Sequence, residues 1–599
     1  LEFFGEIETH MRESGKTRLH LLMRPEVFIL ALIAASYLLV WPVGDYAFND
    51  DWAYFTSLER LADNGRIEIL DWNPMSLVGH LVWGELFTAL FGFSFTVTKL
   101  SVVALAMIES VVLLRLLRWC GVASGLAVIA VAAVFFNPVH FVHVFSFQTD
   151  VPAVAWEVVA VFCYVRAIGE SVRPRPGWLL GGALAVAQAY LIRQSAVVIP
   201  AALAVYVLAC ERKRWRAGAC AAAFLPACLV IAGFQIWYQG IHGETAAFRE
   251  ASAQVMQFIR HPPVADLPEI LFSYFIYLGL FCLPLLPAVA RSVWRAYPVR
   301  QEVAWLAIVW GVVNAFALSV MSERVFPYVR NVLTPYGFYL PNELFVGDRE
   351  LLWGEPIAWL IAVASFVSGC CLARRLVSPP TQPATSYAGV ARRLLTVLFI
   401  FHLAYFTATS PLLFDRHLLP LAPICAGLCC IPAPLGATRP KVWPCTACLV
   451  PMALYSVIAT HDVHRLSQAG FQAADELVRS GADPLTVNGG YAFDGWLTYE
   501  IAPSALTPAL GDVKWWKSNV WEATKISPTR FSRWTLDAGQ GWWYGRTRPD
   551  KAPKYVVASS PAPLDTDARH RFAELPTREY QRWWPWRRER VYVYEVRAE

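Results

Sequence analysis

The chain has 599 residues, with 51 basic and 46 acidic side chains and a formal net charge of +5. Hydrophobic residues make up 56% and charged residues only 16%, against the roughly 25% charge of soluble domains. With a mean hydropathy of +0.41 and 14% aromatic residues, this composition excludes a string of soluble domains and a disordered or fibrous chain. It reads as a multi-pass membrane protein. The charge excess is too small and dispersed for a nucleic-acid partner and matches the basic bias of cytoplasmic loops.

Residues 1–26 are polar and carry Arg12, Lys16, Arg18 and Arg24, so they are expected in the cytoplasm rather than as a cleaved leader. From Val27 onward, about thirteen apolar runs are long enough to span a bilayer. They fall near 27–44, 98–116, 122–136, 151–168, 177–191, 195–210, 218–238, 268–290, 303–320, 357–372, 393–409, 417–432 and 444–460. Alternate loops are basic, for example Arg212-Lys213-Arg214 and Arg374-Arg375, which keeps one side of the membrane positive throughout. The C-terminus is then expected outside the cell or in the periplasm. The 13 cysteines lie between Cys120 and Cys448, in or beside apolar runs, and read as membrane packing rather than disulfides.

The expected domains are a cytoplasmic segment 1–26, a transmembrane domain 27–460, and a soluble α/β domain 461–599 on the outer face. Outer loops at 45–97, 239–266 and 321–355 are long enough to build structure. The first two have the amphipathic pattern of surface helices; the third is irregular and rich in Pro, Gly and Tyr. In the last domain a helix is expected at Arg465–Arg479, with strands at 485–487, 554–558 and 591–596. Its tryptophans Trp515, Trp516, Trp542, Trp543, Trp583 and Trp584 suit a structural core, membrane-surface contact or glycan stacking.

Two acidic sites stand out. Asp50 and Asp51 follow the first span in Phe48-Asn49-Asp50-Asp51-Trp52-Ala53-Tyr54, and Asp150 directly precedes the fourth in Gln148-Thr149-Asp150-Val151-Pro152. Carboxylates at a membrane boundary face a cavity or a partner, or else cap a helix. On one face of the membrane, two of them could orient a hydroxyl and accept its proton. Two short histidine pairs, His140/His143 and His461/His464, leave a divalent metal open.

The order of motifs resembles the membrane glycosyltransferases of the GT-C fold, in the aminoarabinose transferase and protein O-mannosyltransferase superfamily. The resemblance is carried by Asp50-Asp51-Trp52-Ala53-Tyr54 after the first span, Asn73-Pro74, Phe91-Gly92, Leu191-Ile192-Arg193-Gln194, and Phe414-Asp415-Arg416-His417-Leu418-Leu419-Pro420. It covers most of the membrane part and little of the last 140 or so residues. It implies a polytopic α-helical GT-C-like domain and a polyprenyl-phosphate-linked sugar donor. The reaction it implies is transfer to an acceptor hydroxyl of a lipid, glycan or protein, with inversion, at the outer face of the inner membrane. Asp50 then stands at the family's base position, Asp51 at its second acidic position, and Asp150 at the second-loop acid.

A departing phosphate needs positive charge more than a proton. Arg193 is the leading residue for that role, with snorkelling or a loop-to-loop ion pair as its alternative uses. Arg324, Arg330, Tyr336, Tyr339 and Arg416 are further candidates, and pairing with Asp415 is the simpler expectation for Arg416. The basic residue that relatives carry before the first-loop proline is missing from Asp71-Trp72-Asn73-Pro74, where His80 is the nearest substitute. A transporter of lipid-linked sugars is the alternative from another class, but it should show internal repeats and spans broken at the midplane. A non-catalytic assembly protein should have lost the loop acids.

Overall fold

A computed structural model describes residues 24–262, 267–290, 331–339, 349–377, 385–409, 414–431, 442–499, 553–562 and 572–597, together with 311, 326–327, 344–347 and 382–383. The chain is a helical, multi-pass membrane protein with a small α/β domain at its C-terminal end. The membrane part contains α1 (Pro25–Val40), α2 (Asp51–Asn64), α3 (Val78–Phe91), α4 (Phe95–Trp119), α5 (Ser124–Phe135), α6 (Pro138–Val144) and α7 (Asp150–Ile168). It continues with α8 (Pro176–Ile192), α9 (Val198–Tyr206), α10 (Ala217–Trp237), α11 (Ala246–Arg260), α12 (Leu267–Cys282), α13 (Glu355–Val377), α14 (Tyr387–Thr409) and α15 (Leu421–Cys430). Helix α16 (Trp443–Arg479) links it to the α/β domain, which also holds α17 (Tyr491–Thr498).

Among the described residues, 8 helices are long and apolar enough to cross a membrane, or up to 9 if the bent pair α5–α6 is one span. Every expected span except 303–320 has a helix at its place; that one lies outside the described residues. Of the helices at expected spans, α1, α8 and α15 fall in the shorter apolar class of 10–17 residues. Close packing replaces hydrophobic collapse where the lipid is as apolar as the side chains. A Cβ on Gly279 of α12 would collide with the Ser365 backbone oxygen of α13, and one on Gly369 would meet the Phe275 ring at 2.8 Å. Substituents there would force the two helices apart.

The three long loops between helices contain ordered elements. The first forms α2 and α3, and the second forms the strongly amphipathic α11. The third contains a short hairpin, β1 (Leu333–Thr334) with β2 (Gly337–Phe338). The C-terminal sheet has the order β3-β4-β6-β5, from β3 (Val487–Asn488), β4 (Tyr555–Ala558), β5 (Phe572–Arg582) and β6 (Arg587–Val596). β3 and β4 run parallel and the remaining pairs antiparallel. A strand was not expected at 572–582.

The expected domain boundary at 461 falls inside α16, which runs unbroken for 37 residues. Hydropathy drops at His461-Asp462, but good helix formers such as Leu466, Gln468, Ala473 and Ala474 carry the helix on. The α/β domain is therefore mounted directly on a membrane helix.

Candidate active site

The site is assembled from five separate stretches of chain. Asn49 has a left-handed backbone (φ 51°), a conformation asparagine tolerates better than most residues, and it turns the chain so that Asp50 opens α2. Asp50 stands at the N-cap position but makes no capping bond with its side chain. Instead its Oδ2 pairs with Arg416 Nη1 at 3.3 Å, and its Oδ1 accepts a hydrogen bond from the Tyr491 hydroxyl. The helix-cap alternative for Asp50 is thus set aside.

Asp150 opens α7 and likewise does not cap it. Its Oδ1 pairs with Arg193 Nη1, which also donates to Thr149 Oγ1 at 3.4 Å. Arg193 is placed by the break after α8, where the Leu191–Gln194 motif packs on the loop between α2 and α3 and on the start of α3. There Ile192 O accepts from Leu77 N at 3.2 Å, and Gln194 Nε2 donates to Pro74 O at 3.2 Å.

Arg416 ties the two acids together. Burial disfavours its charge, yet the fields of Asp150 and Asp50 outweigh that cost and raise its proton affinity. The expected pairing of Arg416 with Asp415 is not formed. Asp415 is turned inward and accepts Val332 N at 3.1 Å, Leu333 N at 2.7 Å and Arg416 N at 2.9 Å. It fixes the β1–β2 hairpin to the head of α15, which leaves the Arg416 guanidinium free to reach Asp50.

Asp51 is placed differently from its neighbour. Adjacent helical residues point about 100° apart, and Asp51 is fully buried on the side of Lys99. Burial pushes its carboxyl up to about 7, against the opposing charge of Lys99. Lys99 Nζ donates to Tyr46 O at 2.9 Å and lies 3.5 Å over the Tyr46 ring. Asp51 is part of the packing behind the site.

A cavity of about 450 Å³ opens beside these groups. Asp150, Arg193, Arg416 and His417 form its polar walls; Pro74, Met75, Val255, Met256, Tyr405 and Phe406 are among its apolar ones. Asp50 does not itself line the cavity; it pairs with Arg416, which does. The amphipathic face of α11 (Phe248, Ala251, Ser252, Val255, Met256) covers one side of the cavity.

The remaining sequence candidates divide. Tyr339 is buried near the acids, where its hydroxyl accepts from Gln148 Nε2 at 3.4 Å. Tyr336 lies in the turn between β1 and β2 and does not line the cavity. Arg324 and Arg330 lie outside the described residues, as do Trp515, Trp516, Trp542 and Trp543.

His80 does not substitute for the missing loop base. It is buried, stacked on Phe147 at 4.1 Å, and donates from Nε2 to the Phe147 carbonyl. Each histidine put forward for metal has another partner: His140 pairs with Glu109 at 3.0 Å, His143 with the Val139 carbonyl, His461 with Asp462, and His464 with Tyr46. Among the described residues, no three His, Cys, Asp or Glu side chains gather closely enough to hold a metal ion.

Three contributors carried no assigned role in the sequence. Tyr491 comes from the α/β domain, and α17 brings it in by packing Gly495 against Trp52. Tyr54 is buried one helical turn from Asp50, in the combined field of Asp50, Arg416, Asp150 and Arg193. Its i, i+4 spacing from Asp50 was the available signal. His417 was visible only as the neighbour of Arg416.

Residues 80–237 match the family model described as dolichyl-phosphate-mannose-protein mannosyltransferase. The matched stretch carries Asp150 and Arg193, and the resemblance read from the motifs is there a resemblance to glycosyltransferases. No curated protein matches the chain. Solved structures it resembles include ArnT from Cupriavidus metallidurans bound to undecaprenyl phosphate, at 14% identity and TM-score 0.39, covering 96% of this chain and 99% of that one. Apo ArnT from the same organism matches at 16% identity and TM-score 0.36, over 77% of this chain and 82% of that one. The oligosaccharyltransferase AglB from Archaeoglobus fulgidus, in complex with an inhibitory peptide and a dolichol-phosphate, matches at 12% identity and TM-score 0.36, over 88% and 69%.

Proposed function

We propose that the protein is an integral membrane glycosyltransferase that moves a sugar from a polyprenyl-phosphate-linked donor to an acceptor hydroxyl. The observation that carries this reading is the alternation Asp50–Arg416–Asp150–Arg193, of which the last three line a half-apolar cavity. Two cations facing a cavity suit a phosphate, and apolar walls from α11 and α14 suit the first units of a prenyl chain. The family description names the same donor chemistry, a dolichyl phosphate sugar.

In the reaction, the acceptor oxygen attacks the anomeric carbon from the side opposite the phosphate, and its proton passes to Asp50. The bond from the anomeric carbon to the phosphate oxygen breaks, and the lipid phosphate leaves with the electron pair, so the sugar inverts. Arg193 and Arg416 stabilise the growing negative charge where it forms. Asp150 orients Arg193, while Tyr491 and Arg416 orient Asp50. The site faces the outer side of the inner membrane, together with the α/β domain, and the N-terminus is cytoplasmic. Asp51 has no part in proton transfer.

The test compares cells carrying the wild-type chain with cells carrying Asp50→Asn. Lipid-linked sugars and envelope glycans are measured by mass spectrometry. With Asp50→Asn, the donor lipid should accumulate and one glycan or lipid modification should disappear, while the amount of membrane-inserted protein stays the same. An unchanged envelope would remove Asp50 from the role of base.

A further inference from the structure

The tip of the β5–β6 hairpin, Trp583-Trp584-Pro585-Trp586, is tied to the side of α16. Asp462 accepts the backbone N–H of Trp583 at 2.8 Å and of Trp584 at 3.1 Å, and His461 stacks on the Trp583 ring at 4.0 Å. Trp584 and Trp586 nevertheless remain 58% and 74% exposed. Two tryptophans held rigidly in the open are unusual on a face that meets only water.

Two geometric facts place them. The first is depth. Helix α16 starts at Trp443, and at 1.5 Å per residue Asp462 lies about 28 Å along it, close to the ~30 Å thickness of a hydrocarbon core. Gln468 Nε2 donates to Val43 O at 3.3 Å, so the end of the first span is level with residue 468. The hairpin anchor is thus about 9 Å deeper than that level.

The second is direction. Trp443, Val450 and Leu454 are 69%, 48% and 57% exposed and share one face of α16, the stripe least covered among the described residues. At 100° per residue, His461 continues that stripe to within about 20° of Val450. Trp583 therefore covers the lipid-facing line of the helix just where it leaves the bilayer, and Trp584 and Trp586 project beside it.

We propose that this hairpin tip is a membrane anchor, with Trp584 and Trp586 seated among the phospholipid headgroups of the leaflet on the domain's side. Tryptophan favours that depth because its ring is apolar and its N–H can reach water or a headgroup. Arg588, whose side chain is 79% exposed, adds a cation at the same edge. The anchor clamps the α/β domain against the bilayer and thereby holds Tyr491 over Asp50. It does not depend on the reaction proposed above, and its test requires no turnover.

The test places the photo-crosslinking residue p-benzoylphenylalanine at Trp586, at Trp584, or at the exposed Glu574, eight residues up β5 from the buried Arg582. The full chain is irradiated in phospholipid nanodiscs, and lipid adducts are counted by mass spectrometry. Positions 586 and 584 should each give at least tenfold more lipid adduct than 574. Equal yields at the three positions, or adducts at 584 and 586 to protein or added glycan in place of lipid, would overturn the anchor.

Discussion

Replacing Arg416 by Gln removes a cation that faces both acids. Its Nη1 lies 3.3 Å from Asp50 Oδ2, with both side chains largely shielded. At an effective dielectric near 20, that separation corresponds to about 5 kcal/mol of gross attraction. Removing one partner of a buried pair typically costs about 3–5 kcal/mol, because the remaining carboxylate keeps its desolvation penalty. Part of that cost appears as stability and part as lost affinity for a phosphate in the cavity. A decrease of ~2.7 kcal/mol in phosphate binding is about a hundredfold in Kd. The assay is native mass spectrometry of the purified chain titrated with undecaprenyl phosphate in nanodiscs. Arg416→Gln should bind about a hundredfold more weakly, and Arg416→Lys should recover part of the loss by restoring the charge without the planar fork. Arg375→Gln serves as the control. Arg375 is also buried, but it holds the Leu428 and Ile431 carbonyls away from the cavity, so its loss should lower thermal stability and leave lipid phosphate binding unchanged. If Arg416→Gln binds the lipid phosphate as well as wild type does, the cavity is not a phosphate site.

Tyr491→Phe deletes one hydrogen bond to a carboxylate, about 1.5–3 kcal/mol, and should lower kcat for transfer about tenfold or more while KM for the donor lipid stays near wild type. Gly495→Ala puts a Cβ 2.4 Å from the Trp52 ring; overpacking of this kind costs about 1–3 kcal/mol, so the melting temperature should fall and activity should drop with that of Tyr491→Phe. Asp51→Asn tests burial against pH. Folding raises Asp51 from the ordinary 3.8 to about 7, so its contribution to stability is complete below about 4 and declines as pH rises toward 7. The amide should therefore raise the melting temperature relative to wild type more at pH 8 than at pH 5, with the same gain at both pH values as the contrary result.

Much of the architecture was readable because a bilayer restricts what a chain can do. Apolar runs of sufficient length become helices, and the loops between them carry the charge pattern. Reading was hardest where two signals that usually agree part company. At His461 polarity returns while helical propensity persists, so the expected boundary falls within a continuous helix. At α8 and α15 apolar character persists in helices of only 17 and 10 residues. The strand at 572–582 alternates only weakly and places Glu574 and Glu579 outward, so its pairing with β6 rather than its own pattern makes it a strand.

The site followed a similar division. Asp50, Asp150, Arg193 and Arg416 were each conspicuous as charges at the edge of an apolar run, where an unpaired ion is costly. Which charge pairs with which was not legible, because partners are chosen by three-dimensional distance rather than by sequence distance. Arg416 passes over its neighbour Asp415 to reach a carboxylate 366 residues earlier in the chain. Asp415 is unavailable because three backbone N–H groups already hold it. The two adjacent acids at 50 and 51 looked equivalent as letters, yet a rotation of about 100° sends one toward Arg416 and buries the other beside Lys99. Tyr491 was hidden most completely, since nothing in Gly489-Gly490-Tyr491 mentions a carboxylate 441 residues away. Its reach depends on how α17 seats against Trp52, and therefore on what holds the α/β domain to the membrane end of α16. A site completed by a residue from a domain mounted on one long helix is sensitive to the angle of that helix, and that angle is set by packing within the bilayer as much as by the domain itself.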